Sequence, residues 1–274
     1  MKSHSLAAVL CCLGGSLMAA GASAQQLYSN GPFITHPGAH VPSGDVSVAQ
    51  DVTYPGYTAL GFNAGPDFRL ADDFLVPVGH IWTVTSAVLY AYQTGSADAD
   101  FTDARVIIWK GAPDTLNAIK LFDGEVSNNL VSTTPGAYRT AQSFGATMFT
   151  DTARRIKSIE VAIPPLQLSG GAIGEGSQFW IDWKLKGPTP GNAVFTPPVS
   201  ILGQAYTADN GFARMKCPAG ITDPEDECFN VAGSWILFEN GTAPYLVDLP
   251  FLINGSDLID TILRTGFESL PTTP

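Results

Sequence analysis

QFWIDWKL, residues 178–185, alternates with a period of two. Phe179, Ile181, Trp183 and Leu185 fall on one face, and Gln178, Trp180, Asp182 and Lys184 on the other. Successive side chains of a strand point to opposite sides, so this run predicts a β-strand with a dry face and a wet face. Working outward, IKSIEVAI (156–163) aligns Ile159, Val161 and Ile163 against Ser158 and Glu160, and Pro164-Pro165 is expected to stop it. ARVIIWK (104–110) is short and β-branched and runs into Gly111-Ala112-Pro113. Further strands are expected near 57–62, 129–133, 145–149, 194–202, 234–238 and 245–253.

The stretch DFRLADDFLVPVGHIWTVTSAVLYAY (67–92) resembles an active site at first sight, with Arg69, Asp72-Asp73 and His80 close together. Neighbouring strand residues face opposite ways, so Asp72 and Asp73 do not serve one site on a regular strand. Pro77 to Gly79 form a reversal and Ile81-Trp82 begin a returning strand, which is the pattern of a hairpin. The returning strand is long and two-faced, so a central place in its sheet is expected. Arg69 has an aspartate within reach, but an exposed pair adds little stability.

Turn signals such as Asp123-Gly124, Gly170-Gly171 and Asn240-Gly241 separate the apolar runs. No window carries a sustained helical stripe; only 256–263 suits one turn of helix, capped by Ser256. The expected fold is therefore all-β, an antiparallel β-sandwich of jelly-roll type. Residues 57–255 are expected to form a single sandwich domain. Residues 25–56 read as an irregular N-terminal segment over its surface, and 256–274 as a C-terminal tail.

Residues 1–24 read as a secretory signal peptide. Lys2 precedes the apolar run LAAVLCCLGGSLMAA, and Ala22 and Ala24 frame an A-x-A cleavage site. No other run is long and apolar enough for a transmembrane helix. The formal charge of −11 repels phosphate backbones and argues against a nucleic-acid partner. Beyond the leader only Cys217 and Cys228 remain, and in an exported chain such a pair is read as a disulfide. The expected location is secreted, extracellular or at the cell surface of a Gram-negative bacterium, with the periplasm as an alternative.

No catalytic signature stands out, and the chain is read as a non-catalytic module, either carbohydrate-binding or surface-structural. His36 and His40 have Pro37 and Gly38 between them, which opposes the helix a zinc pair needs, so they are read as solvated loop histidines. Trp180 and Asp182 on the wet face suit ligand binding, through ring stacking and a hydrogen bond to an extracellular glycan or cell-surface component. The alternative is a carboxylate-dependent hydrolase, such as a glycosidase, using Asp182. Asp98, Asp100 and Asp103 lie in one loop and offer hard oxygen ligands for calcium, but the spacing is not that of an EF-hand and a solvated acidic loop fits better.

Five motifs occur in order across residues 67–255: Ala-Asp-Asp-Phe with a Val-Pro-x-Gly turn and Trp, RVIIWKGAP, FWIDWKL, TPPVSILGQ and LPFLING. Together they resemble a group of uncharacterised exported bacterial β-sandwich proteins. IDTILRTGFESLPTTP likewise resembles the short Gly-Phe-Glu endings of exported proteins of some Gram-negative bacteria. The resemblance implies a secreted β-sandwich and carries no activity or catalytic residue with it.

Overall fold

Phe179, Ile181, Trp183 and Leu185 all enter the core, as their alternation demands. The computed structural model describes residues 24–49, 60–143, 146–147, 149–203, 212–222, 228–237, 239–240 and 245–259. Residues 1–23 of the signal-peptide reading and half of the expected strand at 57–62, residues 57–59, lie outside them. In chain order the strands are β1 (Gln25–Ser29), β2 (Val46–Ala49), β3 (Phe62–Asn63), β4 (Arg69–Pro77), β5 (His80–Gln93) and β6 (Asp103–Lys110). Next come β7 (Ile119–Asp123), β8 (Leu130–Ser143), β9 (Ala146–Thr147), β10 (Arg155–Ser169), β11 (Gly176–Lys186) and β12 (Val194–Thr196). The last are β13 (Arg214–Lys216), β14 (Trp235–Leu237), β15 (Glu239–Asn240), β16 (Tyr245–Leu246) and β17 (Phe251–Ile259).

Two sheets pack into an all-β sandwich. One runs β1-β17-β5-β10-β8-β2, with β12, β3 and β9 added at its margins; the other runs β14-β13-β4-β11-β6-β7. Pairing is antiparallel except between β2 and β8. Aromatic rings join the layers: Phe74 of β4 lies parallel to Trp82 of β5 at 6.4 Å, and Trp183 of β11 meets Phe251 of β17 at 6.3 Å. Among the described residues no helix is long and apolar enough to cross a membrane.

The turn at Pro77–Gly79 is not a hairpin. β4 pairs with β11 and β13, whereas β5 pairs with β10 and β17, so the chain arches from one sheet to the other. Leu70, Phe74 and Val76 face Trp82 and Val84 across the core, and two apolar faces that must meet cannot lie side by side in one sheet. The β10–β11 connection forms a second arch stacked on the first. Gly79 N donates to Gly171 O at 2.9 Å, and Gly170 N donates to His80 O at 2.9 Å. The expected central place of β5 holds.

Three other expectations change. Pro164-Pro165 does not end its strand, because the β10–β5 register shifts between Ala162 and Leu166. That bulge absorbs the two residues lacking an N–H. The N-terminal segment is not irregular throughout, since β1 pairs with β17 and β2 with β8. Buried Arg139 helps to hold it, donating to Ser47 Oγ and the Leu60 carbonyl, both at 2.8 Å. The residues after Gly255 continue β17 to Ile259 rather than turning into helix.

Candidate functional site

The outer face of the β4–β11–β6 sheet carries most of the polar side chains that could work together. Strand parity sends Arg105, Ile107 and Trp109 to this face from β6, Trp180, Asp182 and Lys184 from β11, Arg69 and Asp73 from β4, and Arg214 and Lys216 from β13. Pairing then sets them in rows. Trp109, Trp180 and Asp73 are aligned, as are Ile107, Asp182 and Ala71, and Arg69 lies directly opposite Lys216.

A cleft of about 680 Å³ opens over this face. Arg69, Ile107, Trp109 and Asp182 form its floor. Pro113 and Asp114 line it from the connection after β6, with Lys120 of β7. Gly233, Ser234 and Trp235 line it from the other side, beside Lys216. Two local devices hold these margins. The Cys217–Cys228 disulfide, with Cα atoms 5.4 Å apart, closes the loop before β14, and Cys217 N donates to Ser234 O at 2.9 Å. A loop of this size contributes about 3 kcal/mol by restricting the unfolded chain. The turn bearing Glu125 is sewn to β6 through Gly124 N to Val106 O at 2.9 Å, and Asn129 Oδ1 accepts from Val106 N at 3.2 Å. A Cβ on Gly124 would lie 2.5 Å from Val106 O, which explains the glycine there.

Arg69 is the hub. It is 7% exposed, its Nε donates to Asp182 Oδ1 at 2.5 Å, and its Nη1 pairs with Glu125. Trp109 Nε1 donates to Asp182 Oδ2 at 3.1 Å, so both oxygens of that carboxylate are occupied. Lys184 also pairs with Glu125. Burial pushes the Asp182 carboxyl above its ordinary range, and Arg69 and Trp109 offset this only in part. Burial works to raise Glu125 as well, but Lys184 and Arg69 outweigh it and hold that carboxyl low.

The face expected to be wet is largely covered. Trp180 is 2% exposed, with the Arg214 guanidinium 5.1 Å above its ring, and it does not line the cleft. Asp182 is 1% exposed and reaches the cleft as part of the Arg69 network. The accessible aromatics are instead Trp109 and Trp235, both half-buried. Parity of β6 points to Trp109 once its partner strand is known; the place of Trp235 depends on the disulfide loop, which leaves no pattern in the sequence.

Asp98, Asp100 and Asp103 are not brought together for calcium. Asp98 approaches Arg155 at 3.9 Å, Asp100 approaches Lys157 at 3.5 Å, and Asp103 pairs with Arg105 at 2.8 Å. Among the described residues no group of three or more His, Cys, Asp or Glu side chains is placed to hold a metal. A second acidic run in the sequence, DPEDE at 223–227 between the two cysteines, lies outside the described residues. His36 and His40 depart from the expected solvated loop, and His80 follows the turn. His40 is buried and stacked on Tyr138 at 3.8 Å, His36 packs near Phe149, and His80 meets Asp257 at 2.7 Å.

Asp72 and Asp73 do point apart, but Asp72 points into the sandwich. Its carboxylate is fully buried and accepts from Asn30 Nδ2 at 2.8 Å, Leu249 N at 2.7 Å and Asp73 N at 2.9 Å. Burial, reinforced by nearby Asp248, raises this carboxyl well above its usual range. An unfolded aspartate loses its proton near about pH 4. The folded one holds its proton longer, so stability falls as pH rises from there until the folded carboxyl has ionised, and is flat beyond. Asp72→Asn removes the titration. The difference in unfolding free energy, wild type minus D72N, is expected to decline across that window in urea titrations at successive pH values. A difference independent of pH would contradict the buried carboxyl.

No protein-family model, curated protein or solved structure matches the chain.

Proposed function

We propose that the chain is a secreted, non-catalytic binding protein and that it holds an extracellular or cell-surface glycan in the cleft between Trp109 and Trp235. The observation that carries this reading is the cleft itself. It is preformed, and it combines two partly accessible indole rings with fixed charged groups. Aromatic faces take up the apolar side of a sugar ring, and a few placed polar groups orient it. Export is supported by the leader-like first 24 residues, the disulfide, and the resemblance to exported bacterial β-sandwich proteins.

The alternative, a hydrolase using Asp182, has a second carboxylate nearby in Glu125. It is less well supported because Asp182 is almost fully buried and each of its oxygens already accepts a hydrogen bond, from Arg69 or Trp109, so the carboxyl is poorly placed to exchange a proton with a substrate. Titration calorimetry against a panel of neutral and acidic polysaccharides tests the proposal. At least one is expected to bind, and Trp235→Ala to weaken it by about tenfold, as loss of a central aromatic contact does. Binding to none overturns the reading. Release of reducing ends, lost in Asp182→Asn, would establish the hydrolase instead.

A further inference from the structure

Arg69 and Lys216 stand directly opposite each other on β4 and β13, and like charges in that position repel. They belong to a longer cationic band. Lys184 lies opposite Arg105, on the far side of β4 from Lys216. These four residues are a large part of a chain with only 14 lysines and arginines and a net charge of −11. Chance scatter of so few cations does not favour such a band, so its neutralisation can be followed group by group.

Each carboxylate that lines the cleft is already matched. Asp182 is held by Arg69, Glu125 by Arg69 and Lys184, and Asp114 by Arg214. Outside the band, Lys120 is matched by Asp123. Within it, Arg105 has Asp103 and the Glu125 carbonyl. Lys216 has no ion-pair partner among the described residues, and Arg69 Nη2 is buried with no acceptor there. Both residues line the cleft, beside Trp235, which is the register partner of Lys216. A buried guanidinium N–H without an acceptor costs free energy that a bound anion would recover.

Resting on the glycan reading above, we infer that the ligand is an acidic oligosaccharide whose sugar carboxylate is received by Arg69 Nη2 and Lys216. The ring bearing that carboxylate lies against Trp235. Asp182, tethered to Arg69 and Trp109, does not compete for the anion; it fixes the guanidinium that receives it.

The test uses the full mature protein and calorimetry at low salt with three probes: oligogalacturonate, its carboxyl-reduced neutral counterpart, and a sulfated galactan. Pectate, alginate and hyaluronan extend the acidic arm. Acidic members are expected to bind at least about tenfold more tightly than neutral ones, with affinity falling as salt is raised. Lys216→Gln is expected to remove most of that preference while leaving the melting temperature close to wild type, and Lys216→Arg to restore it. Equal or tighter binding of neutral glycans overturns this inference and leaves the cleft reading intact. Preference for the sulfated probe overturns the carboxylate assignment. Binding to no glycan overturns both.

Discussion

Arg69→Ala is expected to destabilise the protein by about 3–5 kcal/mol, because it leaves a buried carboxylate without its cation. Asp182 is almost fully buried, and after the substitution only Trp109 Nε1 would serve it. For a domain of this size each kcal/mol moves the melting temperature by about 2–4 °C, so a fall of at least about 6 °C is expected. Glu125 keeps Lys184 and adds less to the loss. The double variant Arg69→Met/Asp182→Leu removes both charges together and is expected to regain most of the stability, since an apolar pair of similar volume is often as stable as a buried ion pair. Urea unfolding of the wild type, Arg69→Met, Asp182→Leu and the double variant forms the cycle, with Arg69→Ala measured beside it. A loss under about 1 kcal/mol in Arg69→Ala would match an exposed ion pair, and the buried network would be wrong.

That cycle concerns residues whose importance was only half visible beforehand. The alternation of Phe179, Ile181, Trp183 and Leu185 was enough to identify a strand and its core face, because side-chain period is a local property. It was also enough to place Asp182 on the opposite face. It was not enough to show that this face is covered, because the cover comes from Arg214, Glu125 and the disulfide loop, far away in sequence. Arg69 looked like an exposed partner of a nearby aspartate. Its real partner lies on a different strand, and register between strands is not written in either one alone. The same limit hid the arch. Pro77-Val78-Gly79 marks a reversal correctly, but a reversal within one sheet and one between sheets use the same turn residues. β2 escaped notice for a further reason: Arg139, which bonds its Ser47, is a buried cation, and charge in a sequence ordinarily signals a surface.

Gly170→Ala is expected to cost at least about 3 kcal/mol, at or above the upper end for an added methyl group in a packed site. A Cβ on Gly170 would stand 1.8 Å from the Pro77 carbonyl oxygen, and that atom is backbone with no rotamer to swing away. The two arches would have to separate, straining the hydrogen bonds from Gly79 N to Gly171 O and from Gly170 N to His80 O. Gly171→Ala is the internal control. Its Cβ would meet nothing closer than Ser177 Oγ at 3.7 Å, so its cost is that of a left-handed φ of +82°, about 1–2 kcal/mol. If Gly170→Ala costs no more than Gly171→Ala in urea unfolding, the stacked-arch contact is refuted. The consequence extends to the cleft. Gly176 pairs with Pro77 at the arch, and the same register carries Asp182 to Ala71, beside Arg69. A slip of one residue would turn Asp182 into the core and an apolar neighbour outward. Gly170→Ala protein that remains folded is therefore expected to lose the glycan binding proposed above together with its stability, although Gly170 does not line the cleft.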